Sequence, residues 1–327
     1  MKSLALEELV QKFGIHPVFM SRYFERNAER RFAAQVLEFM LWRRGRFISP
    51  HLKEKTLHQF LIEEIENFYE KGQINLPQIQ FAVTTRCNLR CRNCNAYIPY
   101  FGKATPHIDL TPEDFARDMA ALAGAANTSR RFELQGGEPL LNVRFAEILA
   151  IAAASAFVSV VEIISNGTLV PGSEVLRVAE QYKHKVYFHI SNYSANAALA
   201  PKLRHDALFA VLKEHGIKYQ MSANFTWSRE VPLAGRDADD SRVKALFALC
   251  WLKRALKVKN GRIAICPKAS SGYELGMADS SFAGEVVDLR GGGDIRQKMI
   301  DFYHQEFFEA CRACVRLEEE VVPAEQW

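Results

Sequence analysis

The chain has 327 residues, 48% of them hydrophobic, with only 12 prolines and 18 glycines, so it can bury a core in one large domain with additions or in two modest ones. A formal charge of +4, from 42 basic and 38 acidic residues, is too mild to argue by itself for a nucleic-acid partner. The opening MKSLALEELVQKF carries acids where a secretory signal would be basic and then apolar, and the uncharged run Ile148 to Val161, at 14 residues, is too short to span a bilayer.

No targeting segment and no membrane contact are therefore expected. The seven cysteines fall at 87, 91 and 94, at 250 and 266, and at 311 and 314. An odd number with no sign of secretion suits a reducing, cytoplasmic setting, where thiolates serve metals or catalysis rather than disulfides.

In chain order, residues 1–77 read as a helical N-terminal extension. Ala33, Val36, Leu37, Met40 and Leu41 recur at helical spacing, as do Leu57, Leu61, Ile65 and Phe68, with Gly72 as a stop. Seven arginines between residues 22 and 46, among them Arg30, Arg31, Arg43, Arg44 and Arg46, alternate with Glu25, Glu29 and Glu38. They are read as a solvated helix face rather than an RNA surface.

From residue 78 strands alternate with helices. IQFAVTT (79–85) is a strand that runs into the first cysteines. Thr111, Pro112, Glu113 and Asp114 open a helix. RFELQ (131–135) is a strand ending at GGEP, and a helix follows to about 155. VSVVEIIS (158–165) ends at NGT; a helix near 173–182 leads to KVYFHIS (185–191). HDALFAVLKEHG is a helix stopped by Gly216, and IKYQMSA is the next strand. Such alternation predicts an α/β fold of βα units around a parallel sheet, with functional groups at the carboxyl ends of its strands. This core is placed at 78–224.

Residues 225–327 form a smaller cysteine-containing extension. ALKVKNGRIAICP (255–267) predicts a hairpin turning at Asn260-Gly261, with Cys250 before it and Cys266 at its end. DIRQKMIDFYHQEFFEACRAC predicts one final helix, capped by Asp294 and carrying Cys311 and Cys314 at its tail.

Three thiols at 87, 91 and 94, among Arg86, Asn88, Arg90, Arg92 and Asn93, do not make an inert apolar site. A structural zinc wants four closed ligands, whereas three thiolates can hold three irons of a 4Fe–4S cluster and leave one iron open. With GGEP (136–139) after the second strand and SNGT (165–168) after the third, the chain resembles the radical S-adenosylmethionine (radical SAM) enzymes. The resemblance covers about residues 78–224 and implies a partial (βα)6 barrel.

It further implies that Cys87, Cys91 and Cys94 ligate a 4Fe–4S cluster whose open iron is chelated by SAM. Gly136, Gly137 and Glu138 would hold the methionyl amino group, and Ser165 and Asn166 the ribose or carboxylate. Ser191 and Tyr193, at the next strand end, are further candidates. Asn93 stands where many members carry an aromatic residue, so ring packing on the adenine is not expected there. The implied reaction is reductive cleavage of SAM and abstraction of a substrate hydrogen, with a flavodoxin or ferredoxin-type protein as electron donor.

The remaining thiols, Cys250, Cys266, Cys311 and Cys314, can close a zinc site or a second 4Fe–4S cluster. Their layout resembles the short auxiliary-cluster (SPASM or twitch-like) extensions of this superfamily, which favours the cluster. The resemblance points to a small-molecule substrate such as a sugar or sugar-containing metabolite. A peptide modifier and an RNA modifier are the alternatives, and nucleic acid is the less expected partner.

Overall fold

The computed structural model describes residues 6–42, 56–103, 105–223, 226–230, 238–277, 285–314 and 316–327, the backbone alone at 34–42, 254 and 316–318. Arg43, Arg44, Arg46 and the side chains of Val36, Leu37, Met40 and Leu41 lie outside the described residues.

The main sheet is built from β1 (Ile79–Thr84), β2 (Phe132–Gly136), β3 (Val161–Ser165), β4 (Val186–Ile190), β5 (Lys218–Met221), β6 (Leu256–Lys259), β7 (Arg262–Ala264) and β8 (Val287–Asp288). Its spatial order is β8-β7-β6-β1-β2-β3-β4-β5. The strands β1 to β5 are parallel in chain order, and β6 joins β1 in parallel on the opposite edge. The partial barrel therefore takes its sixth parallel strand from beyond residue 250. The hairpin to β7 turns on Asn260 (φ 48°) and Gly261 (φ 74°), the two left-handed residues of a tight two-residue turn.

The two faces of the sheet differ. Phe81, Phe132, Leu134, Val161, Ile163, Val186 and Phe188 are fully buried on the helix side. There the ring of Phe115, from the helix Pro112–Ala125, meets Phe81 edge-on at 4.9 Å. The opposite face carries a polar row read straight from the register: Lys257, Gln80, Glu133, Glu162 and Tyr187 sit side by side on β6, β1, β2, β3 and β4. Charges enclosed in this way persist only if they are paired, because an unpaired buried charge is costly.

The two carboxylates of this row, Glu133 and Glu162, are paired. Arg131 reaches Glu133 at 2.9 Å and also Glu162. Glu133 accepts from Gln80 at 2.7 Å and from Gln78, and Glu162 meets His189 at 2.7 Å. The N-terminal helices seal this floor from below. Arg30 donates to Gln78, Arg31 pairs with Glu63 and Glu64, and Asn27 donates to the carbonyl of Asn75 at 2.8 Å. Glu64, 1% exposed, also takes Arg130 at 2.9 Å.

Two expectations are corrected. The described arginines of the N-terminal helices are not a solvated face: Arg22 is 4% exposed, and Arg30 and Arg31 reach into the floor because the carboxylates and amides they pair with lie there. The final helix is two pieces, Ile295–His304 and Glu309–Arg312. Buried Arg22 donates to the carbonyls of Phe302 (2.8 Å), Tyr303 (3.2 Å) and Gln305 (2.9 Å), which ends the first piece. The chain then runs extended at Phe308, whose ring packs on Phe302 at 4.7 Å. Among the described residues no helix is long and apolar enough to cross a membrane.

Candidate active site at the carboxyl edge of the sheet

With its floor closed, the barrel opens at the carboxyl ends of its strands. A cavity of about 420 Å³ lies there, lined by Cys87, Cys91, Cys94, Gln135, Gly136, Gly137, Ser165, Asn166, Ser191, Tyr193, Glu230 and Lys257, among others. The expected thiols and strand-end residues, spread from Cys87 to Tyr193 in the chain, thus share one concave site of ordinary ligand-pocket size.

Each part has a local cause. The cysteine loop leaves β1 at Thr84, whose hydroxyl donates to Asp109 at 2.6 Å, while Arg86 grips the other oxygen of that carboxylate at 2.6 Å. The Sγ of Cys87 accepts from the amide of Leu89 (3.4 Å) and from Asn166 (3.7 Å). Burial raises all three thiols, Cys87 and Cys91 to about 12, while Lys259 and Lys257 pull Cys94 partly back. Such thiols ionise only against a cation, so metal loading and proton release are coupled here.

Gly136 and Gly137 line the cavity and also serve the packing beneath it. A Cβ on either would lie 2.1 Å from a backbone oxygen, that of Thr84 or of Arg86 respectively. Their bareness lets the end of β2 lie against the root of the cysteine loop, where the amides of Gly137 and Glu138 donate to those two carbonyls at 2.9 and 2.8 Å. The Glu138 carboxylate does not face the cavity. It is fully buried and accepts from the amides of Asn166 (2.7 Å) and Leu140 (3.3 Å) and from the Ser165 hydroxyl (3.2 Å), strapping β2 to β3. Burial pushes it up to about 7 against those hydrogen bonds. Ser165, Asn166 and Ser191 do line the cavity, as does Tyr193, whose ring meets Trp227 at 5.6 Å.

The four later thiols come together as a second set. Cys250 ends the helix Asp240–Leu249, and Cys266 caps the helix Pro267–Glu274, its Sγ accepting from Ala269 at 3.3 Å. Cys311 and Cys314 belong to the short last helix and the turn after it. After burial, the neighbouring thiols raise one another: Cys266 responds to Cys314 and Cys250, Cys311 to all three others, and Cys314 to Cys250. Buried Tyr97 lies between the sets, bonded through its amide to the Cys94 carbonyl and raised by the charges of Cys314 and Cys266 after burial. Among the described residues no three His, Cys, Asp or Glu side chains converge as on a single ion. A four-iron cluster, which takes one thiolate per iron, sets its ligands farther apart.

Sequence reasoning missed three contributors. The last residues pair with the cysteine loop: Arg92 donates to the carbonyl of Glu325 (2.7 Å), Trp327 to that of Arg90 (3.0 Å), and Gln326 Nε2 to Cys91 Sγ (3.5 Å). Asn93 accepts from the Glu230 amide at 3.3 Å and ties the loop to the strand Trp227–Glu230. Lys257 is buried and lines the cavity.

Residues 81–227 match the Radical SAM superfamily profile. A GTP 3′,8-cyclase of Desulforamulus reducens is 31% identical over 96 residues, 29% of this chain and 28% of that protein. A GTP 3′,8-cyclase of Stenotrophomonas maltophilia is 34% identical over 99 residues, 30% and 28% of the two chains. The chain thus matches less than a third of the length of these relatives. Among solved structures, BtrN in complex with AdoMet and 2-DOIA is 15% identical, with 76% of this chain and 96% of that one covered at a TM-score of 0.44. Streptococcus suis SuiB bound to S-adenosylmethionine is 14% identical, with 68% and 48% covered at 0.38. Both likenesses are distant.

Proposed function

We propose that this chain is a radical SAM enzyme, which would use a 4Fe–4S cluster and SAM, and that it acts on a sugar or sugar-containing small molecule by epimerisation, dehydration or oxidation. When bound, the two cofactors supply a one-electron cleavage that yields a 5′-deoxyadenosyl radical able to take a substrate hydrogen. The observation that carries the reading is the single cavity shared by the three loop thiols and the ends of β2, β3 and β4.

In this reading Cys87, Cys91 and Cys94 hold the cluster, and the open side of the site faces Gly136, Gly137 and Asn166. Ser165, Asn166 and Ser191 offer hydroxyl and amide groups to SAM, while Glu138 acts at one remove by fixing the β3 end that carries two of them. Cys250, Cys266, Cys311 and Cys314 hold a second 4Fe–4S cluster in preference to zinc. Trp227, Trp251 and Pro267 add apolar surface to the same cavity. A flavodoxin or ferredoxin-type donor supplies the electron. The GTP 3′,8-cyclase relatives make a nucleotide the second small-molecule candidate for the same cavity.

The test is transfer of deuterium. Anaerobically reconstituted, reduced protein is incubated with SAM and, in turn, deuterated sugar nucleotides, aminosugars, GTP and short peptides. Deuterium appearing in 5′-deoxyadenosine from a sugar supports the reading, and transfer from a peptide alone overturns it. Metal analysis separates the fates of the quartet: about eight irons per chain for two clusters, about four irons with one zinc otherwise.

A further inference from the structure

Two hydrogen-bond donors in the cavity lack partners. Lys257, on β6, is 1% exposed and lines the cavity, and among the described residues its ammonium has no hydrogen-bond or ion-pair partner. Gln135, on β2, lines the same cavity with its Nε2 buried and unpartnered. They flank β1 on one face of the sheet: Lys257 is registered beside Gln80, and Gln135 beside Ala82.

The groups that face Lys257 do not satisfy it. Its strand neighbour Lys259 repels it, while Glu133 and, as thiolates, Cys94 and Cys266 attract it without a hydrogen bond or ion pair. Glu133, two strands away, is held by Arg131, Gln80 and Gln78, and Glu230 on the cavity wall is held by Lys268. A buried amine with no carboxylate of its own is set up to receive one from outside.

We propose that Lys257 and Gln135 form a subsite for an oxyanion of the substrate, a phosphate or a carboxylate, at the inner end of the cavity. This rests on the reading that the cavity takes a small-molecule substrate, and it narrows that substrate to an anionic one. An arriving anion would pair with the Lys257 ammonium and accept from the Gln135 amide in a site largely shielded from water.

The experiment titrates anaerobically reconstituted protein with sulfate, a non-titrating surrogate for phosphate, and with acetate. Binding is followed by calorimetry at pH 7. The expected result is saturable binding of at least one anion. Sulfate alone identifies a phosphate site, acetate alone a carboxylate site. Lys257→Met should weaken binding by about tenfold or more. Lys257→Arg should retain binding, and Gln135→Leu should weaken it less than Lys257→Met does.

The measurement on the unaltered protein needs no variant, and iron content with circular dichroism checks the fold of each variant. No binding of either anion, or equal binding by Lys257→Met, would overturn the subsite. So would loss of anion binding on saturation with SAM, which would assign the lysine to the SAM carboxylate. Absence of 5′-deoxyadenosine under all substrate conditions would instead remove the enzymatic reading beneath it, and the two failures are told apart.

Discussion

The two ends of the barrel bury charge to opposite purpose. At the amino end, Arg131 holds both Glu133 and Glu162, with the Gln78 and Gln80 amides completing Glu133 and His189 completing Glu162. At the carboxyl end, three raised thiols, an unpaired lysine and an unpaired amide face the cavity. The same sheet face supplies both. What differs is completeness: charge compensated within the protein stabilises the fold, and charge left uncompensated awaits a ligand.

Substitutions at the two ends should therefore fail differently. Cys91→Ala should abolish the first cluster, seen as loss of its visible absorption and of about four irons per chain, while the apo fold persists by circular dichroism. Arg131→Met should do the reverse. By leaving Glu133 and Glu162 without their cation it should cost about 3–5 kcal/mol of stability in denaturant titration, yet folded protein should still load iron. Equal loss of iron and of fold in both variants would break the distinction.

Glu138 sits between the regimes, buried and hydrogen-bonded yet pushed up to about 7. Its folded pKa lies above the ordinary carboxylate value, so folded protein binds the proton more tightly than unfolded protein does between about pH 4.5 and 7. Stability should fall as pH rises through that window, by on the order of 3 kcal/mol relative to Glu138→Gln. A flat difference between the two proteins would show the carboxylate to be already ionised. The smallest effect is expected at Gln326, where removing the Gln326→Cys91 hydrogen bond with Gln326→Ala should weaken retention of iron against a chelator by about tenfold. It should also shift the cluster's reduction potential, a readout that mere loosening of the chain end would leave in place.

Much of the core was legible because its signals are local. The strands ending at Thr84, Gly136, Ser165 and Ile190 follow from apolar runs and the loops that stop them. So do the Thr111 cap and the Asn260-Gly261 turn. The site could be assembled because its motifs stand at successive strand ends. What escaped is long-range. Arg22 is polar in a helical pattern, and only the fold brings it to the carbonyls of Phe302 and Tyr303. Lys257 in LKVK reads as a solvent-facing lysine of an edge strand until β6 pairs with β1 and turns it inward. The Gln326–Cys91 contact spans 235 positions, and no local pattern encodes it. Glu138 and the two glycines were found by motif, but their work, strapping β2 to β3 and to the loop root, is visible only in the geometry.

The central claim is that the carboxyl-edge cavity performs SAM cleavage at the Cys87, Cys91 and Cys94 loop. Anaerobically reconstituted protein with its full iron complement, reduced and mixed with SAM, should release 5′-deoxyadenosine, and Cys94→Ala should release none. Iron-replete protein that binds SAM and yields no 5′-deoxyadenosine with any candidate substrate would contradict the account.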